Sequence, residues 1–218
     1  MSNSGLGSSP PRRSVTEAAR RRQIVDATIS TVAEVGYGRA SYAQIARQAG
    51  LSSTGLISYH FAGKADLIQA VVAQVVSSGQ EFMLPRVDTA TPGRARLRAY
   101  IESNLAFMAE HPAHILAVAR ILGALRHEDA AQPSPYAQFH ARGLAQLQGY
   151  LREGQQAGDF RGFSVEVMAL AVRAAIDEVA YGLGSEPGLD LLAVGRELAD
   201  LFERATAIGG APPHLGGE

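Results

Sequence analysis

Apolar residues recur along this chain at spacings of three and four, which predicts helices throughout. Ile24, Ala27, Thr31 and Val35, with Val32, form one stripe; Ser14 or Thr16 can cap that helix, and Gly36 can close it near Val35. Ile45, Ala46 and Ala49 predict a short second helix, capped by Ser41 and ended by Gly50. Ser52 and Ser53 are N-cap types for a third, carrying Thr54, Leu56, Ile57 and Ser58, with Tyr59-His60-Phe61 after it. Leu67, Ile68, Val71, Val72, Val75 and Val76 predict a fourth helix to about Ser78, too apolar for a free surface helix. Gly79, Pro85, Pro92 and Gly93 then predict a break between two modules. Beyond it the pattern predicts helices over 92–109, 112–126, 134–157, 164–183 and 188–208. No stretch alternates with period two for long enough to be a strand, so the fold class is all-α.

Residues 41–66 have the spacing of a helix-turn-helix. Small residues at Ala46, Ala49 and Gly50 let two helices cross closely. The second of them carries small hydroxyls, which suit base edges or phosphates in a DNA major groove. Ser52, Ser53, Thr54 and Ser58 are the hydroxyl candidates, with Ser53, Thr54 and Ser58 placed for bases. Ser41, beside the exposed N–H groups of a first helical turn, suits a phosphate. Tyr42 can add a phosphate contact or be core. Lys64, the one lysine of the chain, opens the fourth helix and also suits a phosphate.

These residues resemble the tetracycline-repressor (TetR) family of transcriptional regulators. The resemblance rests on Ile24-x-x-Ala27 with Gly36, then Ser41-x-x-x-Ile45-Ala46-x-x-Ala49-Gly50-Leu51-Ser52, Gly55-Leu56-Ile57-Ser58-Tyr59-His60-Phe61 and Lys64-x-x-Leu67. It covers roughly residues 20–72. There is one residue more between Ala49-Gly50 and Tyr59-His60-Phe61 than in the commoner pattern. The resemblance implies that Tyr59 and His60 approach the DNA backbone while Phe61 packs inward. It also implies a homodimer on a double-stranded operator.

Charge sharpens this picture. Residues 1–65 hold seven arginines and Lys64 against Glu17, Asp26 and Glu34, 8 − 3 = +5. Residues 66–218 hold twelve arginines against eighteen acids, 12 − 18 = −6. A basic module on an acidic body fits a module that meets phosphates and a body that does not. The absence of cysteine excludes disulfides, thiol catalysis and cysteine metal sites. No run of about 18 apolar residues predicts a membrane span, and no secretory signal is legible, so the expected location is the cytoplasm. The expected organisation is a disordered basic arm over 1–15, a three-helix DNA-binding domain over 16–65, a helical ligand-binding and dimerisation domain over 66–210, and a disordered tail over 211–218. Arg12 and Arg13 end the arm, either as a solvated tail or as a reach to a phosphate or minor groove.

Within the body, polar residues interrupt apolar runs, as a pre-formed small-molecule pocket requires. The candidates are Asn104, Phe107, Met108, Arg120, Phe139 and His140, with Asp177 and Tyr181 as a further wall. The expected effector is a small apolar or amphipathic molecule. The last two helices have broad apolar faces: Val165, Met168, Ala169, Val172, Ala175, Ile176, Val179 and Ala180 on one, Leu189, Leu191, Leu192, Val194, Leu198, Leu201 and Phe202 on the other. Two such helices from each subunit can form a four-helix bundle about a two-fold axis. A regulator controlled by a protein partner, or by no inducer, fits the same sequence. An enzyme fits less well. His111-x-x-His114 begins a helix at Pro112 without a carboxylate at ligand spacing. Gly182-x-Gly184-x-x-x-Gly188 follows a helix rather than a strand. No cofactor is expected.

Overall fold

Burial of apolar stripes sets the helices, and short polar signals set most of their ends. In this computed structural model, residues 12–125, 135–183 and 188–209 are described. They form α1 (Arg12–Val35), α2 (Tyr42–Gln48), α3 (Gly55–His60), α4 (Lys64–Asp88), α5 (Arg94–Glu110), α6 (Pro112–Leu125), α7 (Pro135–Gln156), α8 (Val165–Gly182) and α9 (Leu191–Thr206). No strand occurs among the described residues, and the fold is all-α. Ser41 caps α2 in a reciprocal box: the Gln44 N–H donates to Ser41 Oγ at 3.3 Å, and the Ser41 N–H donates to Gln44 Oε1 at 2.9 Å. Gly50, at φ +62°, turns the chain out of α2 in the left-handed region. Asp190 caps α9 and Ser164 caps α8.

Three boundaries differ from the sequence reading. Helix α1 already includes Arg12 and Arg13, so Ser14 and Thr16 lie inside it rather than at its start. Residues 1–11 of the expected arm and 210–218 of the expected tail lie outside the described residues. Helix α3 begins at Gly55, with Thr54 as an N-cap that makes no side-chain bond, and it includes Tyr59 and His60. The predicted break over 79–93 is mostly helix, because α4 runs through Gly79 and Pro85 to Asp88. Val87 is buried beyond the proline, and Gly79 is buried against Phe107. Packing of those positions overrides the low helix propensity of glycine, and exposed Pro85 sits in the last turns of the helix.

The buried side chains divide into two interiors. The first gathers Ile24, Ile29, Ile45, Ile57, Phe61, Leu67 and Val71 around the helix-turn-helix, and it also takes Ala117 and Ile121 from α6. The second gathers Leu97, Ile101, Leu105, Leu147, Leu151, Val172, Ile176 and Phe202 within the body. The small module is therefore not closed by its own three helices. It needs α4 and α6.

Arg98 fastens α5 to α9. Its guanidinium donates to Glu203 (2.7 Å), Asp200 (2.5 Å) and Glu102 (2.9 Å). The bonds to Glu203 and then Asp200 push the Arg98 pKa upward, and the bond from Arg98 holds the Asp200 carboxyl below its usual range. A depressed carboxylate stabilises the fold above its unfolded pKa, and that contribution fades as pH falls through the lower folded value. Removing Arg98 also leaves three carboxylates facing one another. We expect Arg98→Ala to cost about 1 kcal/mol in chemical denaturation at pH 7, with the gap to wild type narrowing toward pH 3. An equal gap at both pH values would show that the cluster is not coupled to the fold.

Candidate DNA-contact face and ligand cavity

The helix-turn-helix presents one exposed face. Ile57 is fully buried and fixes the rotation of α3, which leaves Ser58 and Tyr59 outward, with Ser52, Ser53 and Thr54 exposed in the turn before them. Tyr59 is 74% exposed, unusual for an aromatic residue, and its ring meets that of His60 edge-on at 5.0 Å. The outward set thus matches the expected hydroxyls and Tyr59, while His60 is half-buried and Phe61 is core. Thr54 precedes the helix rather than lying on it. Ser41 is exposed, with its hydroxyl in the capping box. Tyr42 is half-buried and packs against the first interior, which favours core over phosphate. Lys64 is exposed at the start of α4; its ammonium donates to the Tyr37 carbonyl at 3.3 Å and lies 4.1 Å from the Tyr37 ring centre.

Two basic residues near this face escaped the candidate set. Arg47 is exposed in the last turn of α2, and its charge was the available signal. Arg21 locks α1 to the end of α3. It donates to the His60 carbonyl at 2.6 Å, stacks 4.1 Å from the Phe61 ring centre and lies 3.5 Å from Asp66. Gln23 adds a bond to the Ala49 carbonyl at 2.5 Å. The long first helix is thus a rigid back-plate for the reading face.

The body holds an apolar cavity of about 110 Å³ between α4, α5, α6 and α8. Of the expected ligand residues, Asn104, Phe107, Met108, Asp177 and Tyr181 line it. Arg120 does not: it is exposed, and its guanidinium reaches the Val32 carbonyl at 3.4 Å, across the α1–α6 contact. Its apolar neighbours on α6 face inward, and the charge is left on the opposite face. His140 is one step behind the wall, its ring 3.2 Å from Asp177. The side chain of Phe139 lies outside the described residues. The sequence reading missed Val72, Val75, Val76, Gly79 and Met83, because it ended α4 at Ser78 and treated the helix as a linker. It also left Arg173 out of the candidate wall. Arg173 is in fact a wall residue, paired with Asp177 and within 3.4 Å of both Tyr100 Oη and Asn104 Oδ1. Burial opposes its charge, but Tyr100 and Asp177 outweigh that, and its pKa is raised.

Phe82, Phe107, His111 and His114 form a chain of ring contacts at the junction of α4, α5 and α6, with centres 4.8 Å apart for Phe107–His111 and 5.2 Å for His111–His114. Burial, and then the neighbouring His111, lowers the His114 pKa. Among the described residues no three His, Cys, Asp or Glu side chains converge as a metal site would. Nor is any single described helix long and apolar enough to cross a membrane.

The apolar face that the sequence reading gave to α8 points inward: Val165, Ala169, Val172 and Ile176 are core. On α9, Leu191 and Phe202 are likewise buried. A second apolar set faces outward, with Val167, Leu170, Leu192 and Leu201 between 48% and 66% exposed.

A helix-turn-helix with an exposed hydroxyl face is thus mounted on a helical body that holds an apolar cavity. Residues 24–71 match the family described as bacterial regulatory proteins, tetR family. That match covers the helix-turn-helix and the start of α4. It is 40% identical over 90 residues to the HTH-type transcriptional regulator BetI of Escherichia coli, a match covering 40% of this chain and 46% of that protein. The chain thus spans about half the length of the curated relatives it matches. Its fold is similar to the transcriptional regulator FadR from Bacillus subtilis in complex with stearoyl-CoA, with a TM-score of 0.73, 23% identity, and coverage of 83% of this chain and 96% of that one. It is also similar to a transcriptional regulator from Saccharomonospora viridis in complex with choline, with a TM-score of 0.77, 21% identity, and coverage of 88% and 100%.

Gly79 tests how the cavity wall is packed. A methyl group there would sit 3.5 Å from the Phe107 ring, an ordinary contact. Gly79→Ala should therefore gain about 0.5–1 kcal/mol from the helix preference alone, read as a raised denaturation midpoint. A loss would mean that Phe107 and Met83 cannot accept the extra atom.

Proposed function

We propose that this chain is a homodimeric, sequence-specific DNA-binding regulator, a repressor released from its operator by a small molecule held in the body cavity. It would act in the cytoplasm. The observation that carries this reading is that α4 and α6 each pack into the helix-turn-helix interior and also line the cavity. Helix α4 places Leu67, Val71 and Val75 in the helix-turn-helix core and Val72, Val76 and Met83 at the cavity. Helix α6 places Ala117 and Ile121 in the first and Ile115, Val118 and Leu122 at the second. A molecule that fills the cavity acts on the two helices that hold the reading face.

On this reading Ser53, Thr54 and Ser58 meet bases, while Ser41, Tyr59, His60, Lys64 and Arg47 meet the backbone. The outward Val167, Leu170, Leu192 and Leu201 join two subunits, so that two α3 helices enter major grooves roughly 34–36 Å apart. Gel shifts and salt titrations on the DNA upstream of its own gene test this. Lys64→Ala should weaken binding and lower the salt slope by about 2 per dimer, one phosphate from each subunit. Ser58→Ala should cost about 1–3 kcal/mol on the preferred operator and less on other DNA, if that hydroxyl reads a base. No sequence-specific shift by the wild-type protein would sink the reading.

The dimer is tested separately by Leu170→Glu. Buried in a subunit interface, that carboxylate would cost several kcal/mol. Sedimentation should show a monomer whose thermal midpoint is little changed but whose operator affinity is lost. A variant that stays dimeric places the interface elsewhere.

A further inference from the structure

We infer that the effector is an electrically neutral molecule with an apolar body and a single hydrogen-bonding group. This deepens the proposed function and rests on reading the body cavity as the effector site.

The walls set the polarity. Every lining residue from α4 and α6 is apolar. All four polar lining residues, Asn104, Arg173, Asp177 and Tyr181, come from α5 and α8 and make one polar wall.

That wall carries charge but is already neutral. Arg173 and Asp177 lie four residues apart on α8 and form an ion pair, with side chains 12% and 20% exposed. The remaining bonding capacity is largely taken up. Arg173 reaches Tyr100 Oη at 3.3 Å and Asn104 Oδ1 at 3.4 Å, the Asn104 amide donates to the Tyr100 carbonyl at 2.8 Å, and Asp177 meets His140 at 3.2 Å. A carboxylate entering here would have to separate Arg173 from Asp177 and leave that buried acid with His140 alone. A quaternary or primary ammonium would have to compete with Arg173 for Asp177. Either adds an uncompensated charge to a low-dielectric site, which is costly. A neutral ligand disturbs neither partner, and one hydroxyl or carbonyl suffices to meet the Asn104–Tyr181 side of the wall.

The test uses three probes matched in length: 1-octanol, octanoate and octylammonium. Each is titrated calorimetrically into the full-length protein at pH 7.5. 1-Octanol should bind at least about tenfold more tightly than either ion, a gap of about 1.4 kcal/mol. It should also release operator DNA. Ala119→Trp, which fills the cavity from α6, should abolish its binding. Asp177→Asn leaves Arg173 without its counter-charge and should reverse the preference toward octanoate. Arg173→Met is the mirror variant and should reverse it toward octylammonium. Arg173→Met/Asp177→Leu removes both charges and should keep the preference for octanol.

An ion that binds wild type as tightly as octanol, with binding lost in Ala119→Trp, overturns neutrality but leaves the cavity as the effector site. No binding by any of the three, or binding untouched by Ala119→Trp, overturns that site and the inference with it. Unchanged preferences in folded single variants would show that the pair does not set the charge of the wall.

Discussion

Val75 is buried in the helix-turn-helix core and also lines the body cavity. Much of the architecture follows from that double occupancy. The three short N-terminal helices cannot enclose their own apolar side chains. The first half of α4 and the inward face of α6 complete that interior, and both helices were recruited from the body. Close-packed interiors deform as alternative packings rather than continuously. Any shift of α4 or α6 at the cavity must then be answered by side chains beneath α1 and α3. Arg21 stiffens that answer, because it ties α1 to the His60 carbonyl, the Phe61 ring and Asp66 at one point. Movement that reaches α1 is carried to the reading face as a body rather than absorbed in the turn.

The same constraint explains which parts of the molecule were legible in the sequence. Short-range features came through. The Ser41 cap, the Gly50 turn, the burial of Ile57 and Phe61, and five body helices within a few residues of their ends were all written in local periodicity and capping chemistry. What failed was long-range. Gly79 and Pro85 read as breakers, because propensity knows nothing of Phe107, which packs against Gly79, or of the burial of Val87. Ending α4 early removed Gly79 and Met83 from the candidate wall. It also hid the fact that Val72, Val75 and Val76, already named as apolar, face a cavity. Arg120 failed for a related reason. Its apolar neighbours suggested a pocket, but α6 has two buried faces, and the arginine leaves between them toward α1.

The α8 face shows how period alone can mislead even when the element is correct. Counting apolar positions chose Val165, Ala169, Val172 and Ile176, which are core. Val167 and Leu170, the outward pair, were left out. A helix apolar on two sides has two partners to satisfy, and sequence gives no order between them. Burial in the folded subunit does. Large side chains more than half exposed on both α8 and α9 are what remains after the interior has taken its share.

The polar wall of the cavity closes the physical argument. An ion pair buried against an apolar space is rarely worth more than a hydrophobic pair of the same volume, so its stability alone is a weak account of why it stands there. Its position has a clearer consequence. Arg173 binds α8 to α5 through Tyr100 and Asn104, and Asp177 binds α8 to α7 through His140. Those contacts tie three helices into one frame, and the apolar sides of the cavity belong to α4 and α6. A ligand in the cavity would therefore meet one wall held by directional contacts and two walls held mainly by packing. Packing yields first. A ligand can move an equilibrium only by its difference in affinity for the two states. On the proposed reading that difference would reside where α4 and α6 repack, on the same two helices that complete the helix-turn-helix.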